Sequence, residues 1–268
     1  MEHVLSPTTV SAQLRRLKTV PKDLYLAYSG VIERIKSEDQ DDADFGMRII
    51  SWIHRSRRIL KMDELLEALA VEEYLEDASN KELDVNLDAI LEERSTPTDL
   101  VKICKGLVLY DELSGAVRFS HETVDGFVQN ELEEKSKLPT STILAKTCLI
   151  YLSSPAFDVP CHDVRSLIAR LERYKFSGYA SQYWADHIKC NRKGEEQMQN
   201  ALYETFQLDG RREAMGQIAH YIKYQRAWFK SSIGRSFFHI IAANGLAKIF
   251  RHLLNDDNGR YFQKFCLC

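Results

Sequence analysis

The stretch Ser95–Ser120, STPTDLVKICKGLVLYDELSGAVRFS, decides how this chain folds. Thr96 can cap a helix by accepting a bond from a backbone amide of the first turn. Pro97 suits the first helical position, where an N–H has no intrahelical partner, and Asp99 stands three residues after the cap, as in a capping box. Leu100, Ile103 and Cys104 then share one face of the predicted helix, and Gly106 offers its C-terminal stop. Immediately after it, LVLYDELSGAVRFS supplies two β-rich runs around a Gly-containing turn, which is a hairpin signature.

Towards the N-terminus, VPKDLYLAYSGVIERI places Leu24, Tyr28, Ile32 and Ile35 at helical spacing, with Pro21 near the start. The acidic run KSEDQDDAD reads as a solvated linker whose Asp41 to Asp44 favour the N-terminus of the next helix through its dipole. That helix carries Phe45, Ile49, Trp52 and Ile53 inward. A shorter second helix, after a brief break, carries Leu65, Leu66, Leu69 and Val71, and a polar loop runs through Asn86 to the Thr96-capped helix. Three short helices and a hairpin make a winged helix-turn-helix.

In such a fold the last helix before the wing enters the major groove when DNA is the ligand. Here it carries Lys102 and Lys105 against Asp99, and the helix before it carries Asp63, Glu64 and Glu67, charges that phosphates would repel. Binding to protein is therefore expected, with a DNA-binding winged-helix regulator as the alternative. The chain of 268 residues has a formal net charge of −3, which shows no electrostatic footprint for nucleic acid.

Beyond the wing, Ser120, His121, Glu122 and Asp125 are chemically suggestive. Adjacent residues point different ways, so a hydrogen-bonded structural histidine is expected rather than a catalytic group. Residues 138–230 are helical by pattern. STILAKTCLIYLSS places Ile143, Leu144, Thr147, Cys148, Tyr151 and Leu152 on one side. YKFSGYASQYWADHIKC aligns Phe176, Tyr179, Ala180, Tyr183, Trp184, His187 and Ile188, a stripe for packing rather than for stacking bases or a cofactor. Trp228 and Phe229 close that helical core or lie beneath the C-terminal helices.

The composition, 44% hydrophobic and 28% charged, is that of a chain able to bury a core. No apolar run approaches the roughly 18 residues of a membrane span and no signal-peptide layout opens the sequence, so a cytoplasmic protein is expected. Its six cysteines are single except Cys266 and Cys268, which suggests reduced thiols and no zinc framework. His187 and Cys190 have ligand-like spacing, but a second such pair is lacking.

Four runs in order carry a family resemblance: VPKDLYLAYSGVIERI, IISWIHRSRRILKMDELLEALAV, ICKGLV and VRFSHETVDGFV. Together they resemble the segment that follows the nucleotide-binding core of fungal NACHT-type (STAND, NLR-like) signalling ATPases. That segment ends in a winged-helix domain of the type named after GPI inositol-deacylase. LAKTCLIYL and FSGYASQYWADHI resemble the helical connector of the same proteins, and SFFHIIAANGLAKIFRHLL resembles the first repeat of their ankyrin arrays. The family's usual Arg-Pro-Leu-like step is Arg58-Ile59-Leu60 here. Its Thr-Pro-Leu-His repeat opening is Ser236-Phe237-Phe238-His239, where Ser236 and His239 can still supply the turn hydrogen bonds.

The resemblance implies a lead-in over 1–40, a winged helix over 41–135, a helical connector over 138–230, a single ankyrin-like repeat over 231–255 and a tail over 256–268. A GxxxxGK[ST] loop is missing, so no nucleotide is expected in this chain, and so is a GxSxG elbow, so the deacylase label does not carry hydrolysis with it. A lone repeat has no neighbour against which to bury its apolar faces, which reads as truncation of an array. The expectation is a mainly α, non-catalytic, protein-binding regulatory module with no cofactor, no metal, no membrane and no assignable site residue. A hydrolase acting on lipid anchors is the remaining alternative; it would need a serine beside His121, His162 or His187.

Overall fold

The computed structural model describes residues 22–77, 86–133, 140–190, 198–225 and 236–254. In chain order these form α1 (Lys22–Lys36), α2 (Gln40–Arg55), β1 (Leu60–Lys61), α3 (Met62–Asp77), α4 (Leu87–Glu92), α5 (Pro97–Ile103), β2 (Val108–Asp111) and β3 (Ala116–Phe119). Next come α6 (Glu122–Phe127), a π turn (Val128–Glu133), α7 (Ser141–Ser153), a 3-10 turn (Pro155–Phe157), α8 (Val164–Arg173) and α9 (Ser177–Lys189). The last elements are α10 (Gln199–Phe206), α11 (Asp209–Tyr224), α12 (Phe237–Ala243) and α13 (Ala247–Leu254). The protein is mainly helical, with one small three-stranded antiparallel sheet. Pro21, Trp228, Phe229, Cys266, Cys268 and the tail 256–268 lie outside the described residues. Two compact units form, one from the described parts of Met1–Met62 and Thr96–Pro139, the other from those of Asp63–Ser95 and Thr140–Cys268.

In the first unit, α1 buries the later half of the stripe read from its sequence, Ile32 and Ile35, while Leu24 and Tyr28 are half-buried; Tyr25 and Tyr28 lie against the Phe127 ring at 5.4 and 5.6 Å. The acidic run is not simply a linker. Asp39 caps α2 by accepting from the Asp42 amide, so the helix opens at Gln40 with Asp41 and Asp42 beside its unpaired amides. Phe45, Ile49 and Trp52 are buried as expected, whereas Ile53 is only half-buried. A Cβ at Gly46 would stand 2.7 Å from Ile35 Cγ2 and 3.0 Å from Ile103 Cγ2, so this glycine lets α1 and α5 approach α2 closely.

The next element is a strand that no periodicity announces: β1 pairs Leu60 with Val117, giving the sheet order β1-β3-β2. The hairpin expected from sequence is present, with Val108 opposite Phe119 and Asp111 opposite Ala116. Its turn needs φ of 71° at Gly115, a region open to glycine at no steric cost. Leu60, Val108 and Val117 face inward. Thr96 caps α5 as expected, accepting from the Asp99 amide at 3.3 Å while its hydroxyl donates to the Asp99 carboxylate at 2.6 Å.

In the second unit, α3 corrects an expectation: its 16 residues match the 16 of α2, so it is no shorter helix. A further helix, α4, was not anticipated; it begins after the Asn86 cap, whose side chain accepts from the Ala89 amide. Helix α7 is buried around most of its circumference, from Leu144 and Ala145 through Thr147, Cys148, Leu149, Ile150, Tyr151 and Leu152, as a helix apolar on every side must be. Ile143 departs from the expected face and is exposed.

Helices α9, α10 and α11 cover α7 and one another. The aromatic stripe of α9 packs inward: Phe176 stacks on Tyr179 at 5.4 Å, and Trp184 meets Phe206 at 5.0 Å. A Cβ at Gly210 would overlap the Asp158 carbonyl oxygen, so the start of α11 lies directly on the 3-10 turn. Helices α12 and α13 pair around Gly245, and Phe237 of α12 reaches Phe206 at 6.1 Å. Ser236 and His239 bond each other at 2.8 Å, completing the turn that opens α12.

Candidate interaction surface and buried polar clusters

The register places Arg118 beside Leu109 and Lys61 beside Ala116 on the outer face of the sheet, because each alternates with an inward neighbour, and Ile59 immediately precedes β1. Ile59 is 62% exposed, Leu109 45% and Leu113, at the hairpin tip, 102%. Arg118 and Lys61 are exposed on the same face. The tip holds a fixed shape: the Asp111 carboxylate accepts from the Leu113 amide at 3.1 Å and the Ser114 hydroxyl at 2.6 Å. Those bonds hold its ionisation below the ordinary carboxylate range. Three large apolar side chains thus stand in water on a preorganised ribbon.

On α5, Lys102 is exposed, and Lys105 is turned to Glu38 at 2.5 Å by a backbone φ of 47°. The acidic helix before it differs from expectation: Glu64 and Glu67 are buried, which leaves Asp63 as the exposed acid of that trio. Sequence periodicity could not show this: Glu64 stands beside Asp63 at the helix start, and Glu67 interrupts the apolar run between Leu66 and Ala68.

His121 is a structural cap, as expected. Its Nδ1 accepts from the Thr123 amide at 3.1 Å and lies 2.9 Å from the Thr123 hydroxyl, satisfying the start of α6. Asp125 turns instead to His54, a residue that sequence reasoning did not single out. The His54 ring is sandwiched between carboxylates, with Nδ1 2.7 Å from Asp125 and Nε2 2.7 Å from Glu133, and Arg55 also binds Glu133. Burial pulls the His54 pKa down, but hydrogen bonds and charge from Asp125 and Glu133 reverse that and raise it above 6.5. The Glu133 carboxyl, though partly buried, is held below 4.5 by His54 and Arg55.

Glu67 is the centre of the second unit's polar interior. One oxygen accepts from the Lys175 amide at 3.1 Å and faces Arg94 at 3.5 Å; the other accepts from the Tyr151 hydroxyl at 2.5 Å and the Phe176 amide at 3.0 Å. Four donors fill the roughly four lone-pair sites of a carboxylate, so nothing remains for a substrate. Burial pushes its pKa above 4.5 against the pull of those donors, and burial with the neighbouring Glu67 charge pushes the Tyr151 phenol well above 10. A second carboxylate, Asp88, bonds Tyr174 at 3.0 Å and Arg173 at 2.9 Å.

His187 is buried with Nε2 2.9 Å from the Tyr179 hydroxyl, whereas Cys190 is exposed. His162 is exposed and lies 3.4 Å from Asp163. Among the described residues no group of three His, Cys, Asp or Glu side chains is placed to hold a metal ion. Nor is any helix among them long and apolar enough to cross a membrane. Comparison with protein-family models, curated proteins and solved structures finds no match.

Proposed function

We propose that this protein is a non-catalytic interaction module in which a winged helix binds another protein through its wing. It resembles in organisation the region after the nucleotide-binding core of fungal NACHT-type proteins. The order helix, strand, helices, hairpin, with β1 paired to β3, supports the winged-helix reading. The α12–α13 pair, with its Ser236–His239 bond and Gly245 turn, supports an ankyrin-like unit at the end of the described chain. The observation that carries the proposal is the apolar outer ribbon of Ile59, Leu109 and Leu113. Water-exposed aliphatic side chains at a hairpin fit an apolar partner surface, with Lys61 and Arg118 beside them for its polar rim.

The test uses the full chain as bait, with cross-linking to identify the residues in contact. A specific protein partner is expected to cross-link at Lys61 or the hairpin. It is expected to be lost in Leu113→Asp combined with Leu109→Asp, at unchanged thermal midpoint. The proposal is overturned if that double variant keeps the same partner. It is equally overturned if the chain binds duplex DNA with steep salt dependence that weakens in Lys102→Ala and Lys105→Ala.

A further inference from the structure

His54 stands at the end of α2, in the last turn of the helix, its side chain 7% exposed. Both partners are carboxylates, which when ionised only accept, so both ring nitrogens must donate and the ring must be imidazolium to satisfy them. Asp125 comes from α6 and Glu133 from the π turn; Arg55, on its own helix, shares Glu133. The other elements packed against α2 turn apolar side chains inward, with Ile32 and Ile35 from α1, Leu100 from α5 and Val117 from β3. The segment that His54 grips is also seated by Val124, Phe127, Val128 and Leu132 in the core.

We propose that His54 is a proton-operated latch: as imidazolium it clamps α6 and the π turn to the end of α2, and loss of its proton releases α6. When the proton on Nδ1 leaves to water, that nitrogen becomes a lone pair facing a carboxylate oxygen, and the contact must open. Asp125 is the partner that leaves. It is 57% exposed and water can replace the ring, whereas Glu133 keeps the Nε2–H and Arg55. The apolar side chains keep the segment seated, so the change is a loosening of Glu122–Glu133 and not unfolding.

Because the folded histidine holds its proton above 6.5, the clamp is complete below that pH and is lost as pH rises through the folded value. On the acid side the Glu133 half of the clamp is held ionised to below 4.5 by His54 and Arg55. Ring-nitrogen NMR of the full chain should show His54 titrating above 6.5, with Asp125→Asn and Glu133→Gln each lowering the midpoint. Amide exchange of Glu122–Glu133, corrected for intrinsic rate, should lose protection with rising pH. Each pH unit by which the His54 midpoint exceeds 6.5 corresponds to about a tenfold loss. His54→Gln should abolish this dependence, and if that variant fails to fold, Asp125→Asn should weaken it. A His54 midpoint at or below 6.5, or an exchange profile independent of pH, overturns the proposal.

Discussion

At the scale of single residues, the polar interior is where stability and titration meet. Glu67→Gln would turn an amide nitrogen towards existing donors, leaving one or two of them unpaired. We expect a cost of about 3 kcal/mol, read as a lower urea midpoint at constant slope. The same carboxyl has a pH signature. Unfolded it ionises near 4.5 and folded it ionises later, so across that window the folded state holds a proton that the unfolded state has released. Stability should therefore fall as pH rises through the window, and Glu67→Gln should flatten that fall. Two thiols are equally shielded: burial pushes Cys104 up to about 12 and Cys148 higher still. Iodoacetamide should modify Cys190 in the native protein and reach Cys104 and Cys148 only on unfolding. None of this polar interior was legible in the sequence. Glu67 meets Tyr151 across 84 residues and Phe176 across 109, and His54 meets its acids across 71 and 79. A local pattern holds no record of such distances.

At the scale of elements, what was legible is what local chemistry decides. Thr96 and Pro97 fixed the start of α5, Gly115 fixed the hairpin turn, and the apolar stripe fixed the inner face of α1. Thr96→Ala should cost about 1 kcal/mol, measured by thermal or urea unfolding. What was missed has physical reasons. β1 has two residues, too few for an alternation to appear, and exists because β3 offers it a partner. The brief α4 rests on a single Asn86 cap. The acidic run resembled a linker because charge marks both solvated loops and helix starts; the Asp39 cap decides between them. Close approaches are also invisible before folding. Gly210→Ala would drive a methyl into the Asp158 carbonyl, backbone that cannot move aside, and should cost about 3 kcal/mol, seen as a lowered thermal midpoint.

At the scale of the whole molecule, the mainly helical class came from periodicity, since amphipathic and fully apolar helices carry most of the chain. The grouping of elements could not be read from order along the sequence. Residues 63–95 group with residues after 140, while the stretches on either side of them group together. Segment 41–135 expressed alone would therefore carry α3 without Tyr151, Lys175 and Phe176. It should bind the dye ANS through Leu65, Leu66 and Leu69, where the full chain does not. The same threading imposes an order on synthesis. As the nascent chain emerges N-terminus first, α3 is finished long before the helices that will cover it. The first unit cannot close until its hairpin and π turn have been made around that excursion. For the time it takes to translate about a hundred residues, Glu67 has Arg94 but not Tyr151, Lys175 or Phe176, and the three leucines buried in the finished fold lack the helices made last, which makes α3 a natural place for a chaperone to hold this protein.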